Sequence, residues 1–141
     1  MTDPVNGPPR NTAMAVAASA LRAQQSRMRI IAENIANAES TAQTAGGTPY
    51  RRQIPVFEAQ NVDGATGVAL AAVRPDQSDF RMDYDPSHPA ANADGYVMRP
   101  NVDTLVEAMD MREAQRAYEA NLNVIETARS MESRTLDILK R

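Results

Sequence analysis

The sequence predicts a mainly α protein in which a long helix near each end of the chain pairs with the other as a coiled coil, with a small β-containing insert between them. Three observations support this fold class: a heptad repeat in the first helix, a turn-rich middle segment, and a second helical pattern after Pro100. Residues 12–39 and 101–141 would then form one discontinuous helical domain and residues 40–100 the insert. Residues 1–11, with three prolines, a glycine and no periodicity, are expected to be disordered.

The first helix is predicted from apolar residues that recur at heptad spacing. One set lies seven residues apart, and a second set follows each member by three residues: Met14, Leu21, Met28 and Ile35, then Ala17, Gln24, Ile31 and Ala38. Seven of these eight residues are apolar, which is typical of a coiled-coil stripe. At 1.5 Å per residue the helix would be about 40 Å long, so it needs a partner along its length.

The insert reads as short strands separated by turns. "YRRQIPVFE" predicts a short strand that Pro55 either restricts to a sheet edge or ends early, and "GVALAAVRPD" predicts another between Gly67 and Pro75. Turn signals then come close together at Asp85-Pro86, His88-Pro89 and Asp94-Gly95. Such an insert of about 60 residues with few aromatic side chains would have modest stability by itself.

The second helix is predicted from Asn101 or Asp103, either of which can serve as N-cap, almost to the end of the chain. Its stripe runs through Leu105, Met109, Ala114, Tyr118, Leu122, Ile125, Ala128 and Met131. Beyond Leu122 the apolar residues spread around the helix, and a helix with two apolar sides usually touches more than one neighbour. The sequence therefore predicts a subunit that other subunits pack against.

Composition limits the remaining function classes. Hydrophobic residues make up 43%, but tryptophan is absent, only two phenylalanines occur, and much of the apolar content is alanine, so a large autonomous core is not expected. The absence of cysteine excludes disulfides and thiol chemistry and fits either a reducing cytoplasm or an exported protein. No apolar run approaches the roughly 18 residues of a membrane span, and the first residues lack the pattern of a cleavable signal.

Charge and motif patterns disfavour nucleic-acid binding, membrane binding and catalysis. Residues 53–103 carry three arginines against eight acids, the opposite of a nucleic-acid surface. The first helix has no aromatic anchor for a membrane surface. His88 has acids nearby, but their spacing matches no calcium loop, and no nucleophile elbow or phosphate loop is present. We therefore predict no enzyme, metal or cofactor; a small enzyme that uses His88 is the alternative.

Asn34 and Asn37 are two amides at the end of an otherwise apolar helix stripe. Three roles are open for them: a cap on the helix end, a catalytic pair, or contacts with another chain that set helix register. Asn121, between Tyr118 and Leu122, is interpreted as a packing residue in the same way.

Three segments carry a resemblance to a known family. "NIANAESTAQTAGGTPYRRQ" at 34–53 resembles the N-terminal signature of the flagellar axial proteins, in which a heptad helix ends in Asn-Ile-Ala-Asn-Ala and a small-residue turn leads to tyrosine. "YDPSHPAANADGYVMRPNVD" at 84–103 and "RAYEANLNVIETARSM" at 116–131 are similar to the middle and terminal-helix patterns of the FlgC family of rod proteins. The resemblance covers residues 12–141 in order.

This resemblance implies a structural subunit of the proximal rod of the bacterial flagellar basal body. Such a subunit is exported unfolded by the flagellar type III apparatus without signal cleavage and assembles in the periplasm. Its terminal helices would form a tubular shaft that transmits torque and encloses the export channel. The implied partners are FlgB, FlgF and FliE of the proximal rod, FlgG of the distal rod, further copies of the chain and the export apparatus, with no nucleic acid and no small-molecule substrate.

The residues expected to make assembly contacts lie on the two helix stripes and at the asparagines: Met14, Leu21, Met28, Ile31, Asn34, Ile35, Asn37, Tyr118, Asn121, Leu122, Ile125 and Met131. From the residues alone, a different class also accounts for the helices. A cytoplasmic homodimeric coiled-coil adaptor, or a chaperone-like helical protein, would fold and dimerise stably in solution, whereas a rod subunit would associate weakly with itself.

Overall fold

The computed structural model describes residues 12–140 and confirms a mainly α chain with a small β insert. The elements in order are α1 (Thr12–Ala36), β1 (Gln53–Val62), β2 (Ala65–Pro75), β3 (Arg81–Tyr84), β4 (Tyr96–Arg99) and α2 (Thr104–Leu139). The strands form two separate antiparallel hairpins, β1–β2 and β3–β4. The disorder expected for residues 1–11 lies outside the described residues.

The two helices run antiparallel. Arg27 of α1 lies 3.5 Å from Glu113 of α2, and Ala13, the second residue of α1, borders the same groove as Met131. α2 has 36 residues against 25 in α1 and begins beside the end of α1. Its last 12 helical and cap residues, 129–140, therefore extend past the start of α1. We call residues 129–140 the free end.

Asp103 begins α2, as one of the two predicted caps. Its Oδ1 accepts hydrogen bonds from the backbone N–H groups of Leu105 at 3.0 Å and Val106 at 3.5 Å, which satisfies two of the helix's unpaired donors. Asn101, the other predicted cap, has a different role and binds the loop after β2. No helix among residues 12–140 is both long and apolar enough to cross a membrane.

The hairpin β1–β2 is longer than the sequence predicted. Val62 pairs with Ala65 across a two-residue turn in which Asp63 and Gly64 both have positive φ, at 50° and 85°. This conformation matches the twist of an antiparallel hairpin and explains the Asp-Gly pair. Pro55 lies within β1 of a two-stranded sheet, where each strand has one unpaired edge that tolerates the missing N–H.

The hairpin packs on α1 through small residues. A Cβ on Gly67 of β2 would lie 2.7 Å from Oγ of Ser19, and that Oγ accepts a hydrogen bond from the backbone N–H of Val68. Ser19 is fully buried and also donates to the carbonyl of Val16 at 2.7 Å. The absence of a side chain at residue 67 therefore allows the strand to approach the helix backbone.

The core is small, and its residues on α1 lie on two sides. Ala17, Ile31 and Ala38 are buried at heptad positions, whereas Ala23 and Ile30 are buried although they lie outside the predicted stripe. α1 is thus covered by α2 on one side and by the β1–β2 hairpin on another. The heptad pattern predicted the contact with α2 but not the contact with the β1–β2 hairpin.

Candidate assembly surface

Asn34 binds the first strand rather than capping its own helix. Its amide nitrogen donates to the carbonyl of Gln53 at 2.9 Å, and its Oδ1 accepts from the N–H of Gln53 at 2.9 Å. Oδ1 also accepts from the hydroxyl of Tyr50 at 2.6 Å. Asn34 is 1% exposed, so these three hydrogen bonds satisfy a fully buried amide. The side chain pairs with the backbone of Gln53 as a neighbouring strand would, and it connects the start of β1 to the end of α1.

Tyr50 completes this contact, and its environment favours the neutral phenol. Burial raises the pKa of Tyr50 above its ordinary value, and the negative charges of Glu33 and Glu107 raise it further. The hydroxyl therefore keeps the proton that it donates to Asn34 well into the alkaline range.

The other two asparagines bind carbonyls of their own helices. The amide of Asn37 donates to the carbonyl of Glu33 at 2.9 Å, and that of Asn121 donates to the carbonyl of Ala117 at 2.9 Å. Asn37 follows the last residue of α1, so its side chain caps a terminal carbonyl. Within the chain, the two asparagines therefore have different roles. Asn37 caps the end of its helix, and Asn34 connects a helix to a strand.

A buried ion pair connects the insert to α2. The Nε of Arg52 donates a short hydrogen bond to Oε1 of Glu107, and its guanidinium also lies 3.2 Å from Asp76 and 3.9 Å from Asp110. Glu107 is 1% exposed and its Oε2 has no partner among the described residues, while the Arg52 side chain is 24% exposed. We call Arg52, Asp76, Glu107 and Asp110 the ionic cluster.

The electrostatics of the cluster favour the charged forms of Arg52 and Asp76. Burial alone would lower the pKa of Arg52, but the hydrogen bonds and charges of Glu107 and Asp76 raise it above its ordinary value. Hydrogen bonds from Ser78 and the guanidinium of Arg52 lower the pKa of Asp76, against the effect of burial. Both members stay ionised across the physiological range, so the contact acts as a permanent attachment.

Asn101 adds a second attachment at the same point. Its Oδ1 accepts from the N–H of Arg52 at 2.8 Å, and its amide nitrogen donates to the carbonyls of Asp76 and Ser78, each at 3.0 Å. Asn34, the ionic cluster and Asn101, all within residues 30–118, thus connect the end of α1, the insert and the start of α2. We call residues 30–118 the base.

Sequence reasoning missed the ionic cluster. Glu107 lies in the first turn of α2, where an acid is ordinarily explained by the helix dipole. The available signal was the basic pair Arg51-Arg52 beside a predicted edge strand, opposite a chain rich in acids. Its partner lies 55 residues away, a pairing that spacing alone does not reveal.

Some of the predicted assembly residues are buried within the chain, and others are half-buried or exposed at its surface. Ile31 and Asn34 are buried within the chain. Seven are half-buried: Met14, Leu21, Met28, Asn37, Tyr118, Asn121 and Ile125. Ile35 and Leu122 are 37% and 38% exposed, and Met131 is 63% exposed. The chain thus leaves part of the predicted stripe available to neighbours.

The free end carries four exposed large apolar side chains. Met131, Leu136, Ile138 and Leu139 are 63%, 54%, 72% and 75% exposed. Beside them an open, almost wholly apolar groove of about 320 Å³ runs between the start of α1 and α2, bordered by Ala13, Val124, Ala128 and Met131. Side chains of this kind are ordinarily covered in the functional form of a protein.

The side chain of His88 forms a hydrogen bond within its own turn. Its Nδ1 accepts a hydrogen bond from the backbone N–H of Ala90 at 3.0 Å, and the backbone N–H of His88 donates to the carbonyl of Asp85 at 3.1 Å. Among residues 12–140, no three histidine, aspartate or glutamate side chains lie close enough together to hold a metal ion.

Comparison with known proteins identifies the family. The family model described as "Flagella basal body rod protein" matches residues 14–42, and "Flagellar basal body rod FlgEFG protein C-terminal" matches residues 93–138. The FlgC basal-body rod protein of Agrobacterium fabrum is 46% identical over 134 residues, which cover 94% of this chain and 96% of that protein. The chain belongs to the FlgC family of flagellar basal-body rod proteins. The FlgC proteins of Salmonella typhimurium (39%; 87% and 92% covered) and Bacillus subtilis (36%; 89% and 95% covered) extend this match.

Membership of the FlgC family makes the chain a structural subunit of the flagellar basal-body rod, which assembles with other rod components. The cytoplasmic adaptor is not favoured. The two matched regions of the family models include nearly all of α1 and nearly all of α2, the helices between which the groove is formed. In the FlgC family, then, the exposed stripe of these helices is part of a protein whose role is assembly.

Proposed function

We propose that this chain is a subunit of the proximal rod, which uses α1 and α2 to build a tubular shaft around the export channel. The observation that carries the proposal is the free end, where four large apolar side chains are each more than half exposed on a helix. In a tube of parallel-packed subunits, such residues would be buried against neighbouring helices. Each fully buried side chain of this size contributes about 1.5–3 kcal/mol.

The mechanical role follows from the division of the molecule. The base holds its hairpins to α1 and α2 through Asn34 and the ionic cluster, so a force on the insert reaches the helices through several directional contacts at once. Long helices packed side by side resist twist because slip would break many apolar contacts together. The shaft would transmit torque in this way.

The proposed contact residues on the shaft are the predicted ones that the chain leaves partly uncovered. On α1 they are Met14, Leu21, Met28 and Ile35, and on α2 Tyr118, Leu122, Ile125 and Met131. Ile31, Asn34, Asn37 and Asn121 would act indirectly, since their described contacts are within the chain.

The proposed partners are FlgB, FlgF and FliE, the distal rod protein FlgG, and further copies of the chain. We further propose a periplasmic location after unfolded export through the flagellar type III apparatus. The small core supports this route, since a domain of modest stability unfolds at low cost before passage. No catalytic role is proposed for any residue.

The test is genetic replacement of this chain in its own cell by a double variant of the free end, Leu136→Asp with Ile138→Asp. We expect loss of swimming and of rods in isolated basal bodies, because two buried carboxylates would oppose assembly. The matched control, Ser130→Asp with Ser133→Asp, adds the same charge to the same segment at exposed polar residues. Normal motility of the apolar-site variant would contradict the proposal.

A further inference from the structure

The β3–β4 hairpin presents an apolar face to solvent. Met82 pairs with Met98 and Tyr84 pairs with Tyr96, so the four side chains lie on the same side of the two strands. The tyrosine rings form an edge-on pair with centroids 5.2 Å apart. Met82, Tyr84 and Tyr96 are 52%, 64% and 42% exposed. We call Met82, Tyr84, Tyr96 and Met98 the tyrosine face.

The opposite side of this hairpin is occupied by the chain itself. Val97 is fully buried, Arg81 donates to the carbonyl of Ala38 at 3.2 Å, and Arg99 donates to the carbonyl of Glu39 at 3.3 Å. These contacts hold the hairpin beside the end of α1. The tyrosine face is therefore held in place and exposed, at the end of the molecule that lies opposite the free end.

The free end carries a matching apolar arc. At about 100° per residue, Ile138, Met131, Leu139 and Leu136 lie on one side of the helix, with Thr135 and Glu132 among them, while Ser130 and Ser133 lie on the other. Arg134 borders the arc on one edge, and Arg129 and Lys140 border it on the other. The arc is thus a mainly apolar strip that contains one acid, Glu132, and has three basic residues along its margins.

The two ends carry opposite charge. The segment 76–103, which contains the tyrosine face, has six aspartates and two arginines. Asp85 directly follows Tyr84, and Asp94 lies two residues before Tyr96. Residues 129–141 have four basic and two acidic side chains. An apolar surface beside acids at one end and an apolar strip with basic margins at the other are complementary.

We propose that the tyrosine face of one copy of this chain binds the free end of a second copy, so that successive copies are joined head to tail. This inference rests on the proposed function, since it names one contact by which copies join in the rod. The surfaces differ, so the contact is heterologous, and repetition of a heterologous contact that does not close into a ring gives an open helical assembly.

The dimensions of the two surfaces agree. Two strands of four residues present a face about 13 Å long, and a helix with its side chains is about 10–12 Å across. One such contact buries few side chains and falls below the area of a stable dimer. It would therefore be weak between two free copies and gain strength from the other contacts of an assembled rod.

Cross-linking of the full chain tests the contact, because the chain has no cysteine of its own. A Met82→Cys variant is mixed with a Leu139→Cys variant and treated with a short bismaleimide, and the rate of heterodimer formation is measured. The control pair is Met82→Cys with Leu105→Cys, because Leu105 is a leucine of α2 with similar exposure, 70% against 75%. We expect the first pair to react at least about five-fold faster, and the excess to fall at high salt.

Equal rates for the two mixtures would overturn the inference, as would products that join two copies through Met82 alone or through Leu139 alone. A double variant that carries both Met82→Cys and Leu139→Cys is then expressed in cells, the cells are treated with the cross-linker, and basal bodies are isolated. Rods that contain the chain but no Met82–Leu139 product, or a product that joins either cysteine to another protein, would overturn the head-to-tail contact and leave the proposed function intact. Basal bodies that lack the chain would instead overturn the proposed function.

Discussion

The base and the free end of α2 differ in what covers their apolar side chains. In the base, Ile30, Val97, Val102 and Ala114 are at most 2% exposed. In the free end, residues 129–140 are all exposed, including four large apolar side chains. The base therefore contains buried core residues as well as exposed apolar side chains, whereas the free end contains no core residue.

The largest expected effect is at the ionic cluster. Glu107→Ala should lower the free energy of unfolding by about 3 kcal/mol, the lower end for a broken buried pair, because Arg52 retains contact with solvent and Asp76. Urea unfolding followed by circular dichroism measures it. Glu113→Ala is the matched control, since Glu113 is 71% exposed in its pair with Arg27 and should change stability by less than about 1 kcal/mol. Equal effects of both variants would show that the ionic cluster contributes no more to stability than an exposed ion pair.

The next effect is steric. Gly67→Ala should destabilise the chain by about 1–3 kcal/mol, because the added methyl group would lie 2.6 Å from Val62 and 2.7 Å from Ser19. The control Thr66→Ala changes an exposed neighbour on the same strand. A thermal melt compares the two; an unchanged midpoint for the glycine variant would show that the hairpin does not need its close approach to α1.

These effects show how far the sequence could predict the base. The two helices, the approximate positions of β1 and β2 and the Asp103 cap follow from periodicity and turn residues, whereas the β3–β4 hairpin was not predicted as strands. Asn34 stood out because an amide is unusual in an apolar stripe, but its partner Gln53 is reached only through the fold. The Asp63-Gly64 turn was readable and was missed. The role of Glu107 in the ionic cluster was not predicted, because an acid in the first turn of a helix is already explained by the helix dipole.

A smaller effect of opposite sign is expected at the helix seam. Gln24→Leu should stabilise the chain by about 1 kcal/mol, because Oε1 of Gln24 is buried without a hydrogen-bond partner among the described residues. The control Gln25→Leu changes the neighbouring exposed glutamine. Chemical unfolding measures both variants, and destabilisation by Gln24→Leu would show that the amide contributes to the packing of the helices.

The pH dependence of the base should show two limits. The folded state lowers the pKa of Asp76 from 3.8, so its contribution is complete above that pH and is lost as the pH falls below it. The folded state raises the pKa of Tyr50 from 10.0, so its contribution is complete below pH 10 and is lost as the pH rises above it. Thermal melts across pH measure this; Asp76→Asn should flatten the acid limb and Tyr50→Phe the alkaline limb.

The smallest effect on the isolated chain should come from the free end. Leu136→Ser with Ile138→Ser should change its free energy of unfolding by less than about 0.5 kcal/mol, because both side chains are more than half exposed. The same double variant should impair assembly of rods in cells. A loss of more than about 2 kcal/mol in the isolated chain would mean that the free end stabilises the monomer.

Amide hydrogen exchange along the isolated chain distinguishes the base from the free end. We expect protection in β1, β2 and residues 104–118, and rapid exchange in residues 129–139, where the helix has little tertiary contact to oppose opening. We also expect residues 129–139 to become protected within isolated basal bodies. Uniform protection along α2 to Leu139 in the isolated chain would contradict the division between a self-sufficient base and an end completed by neighbours.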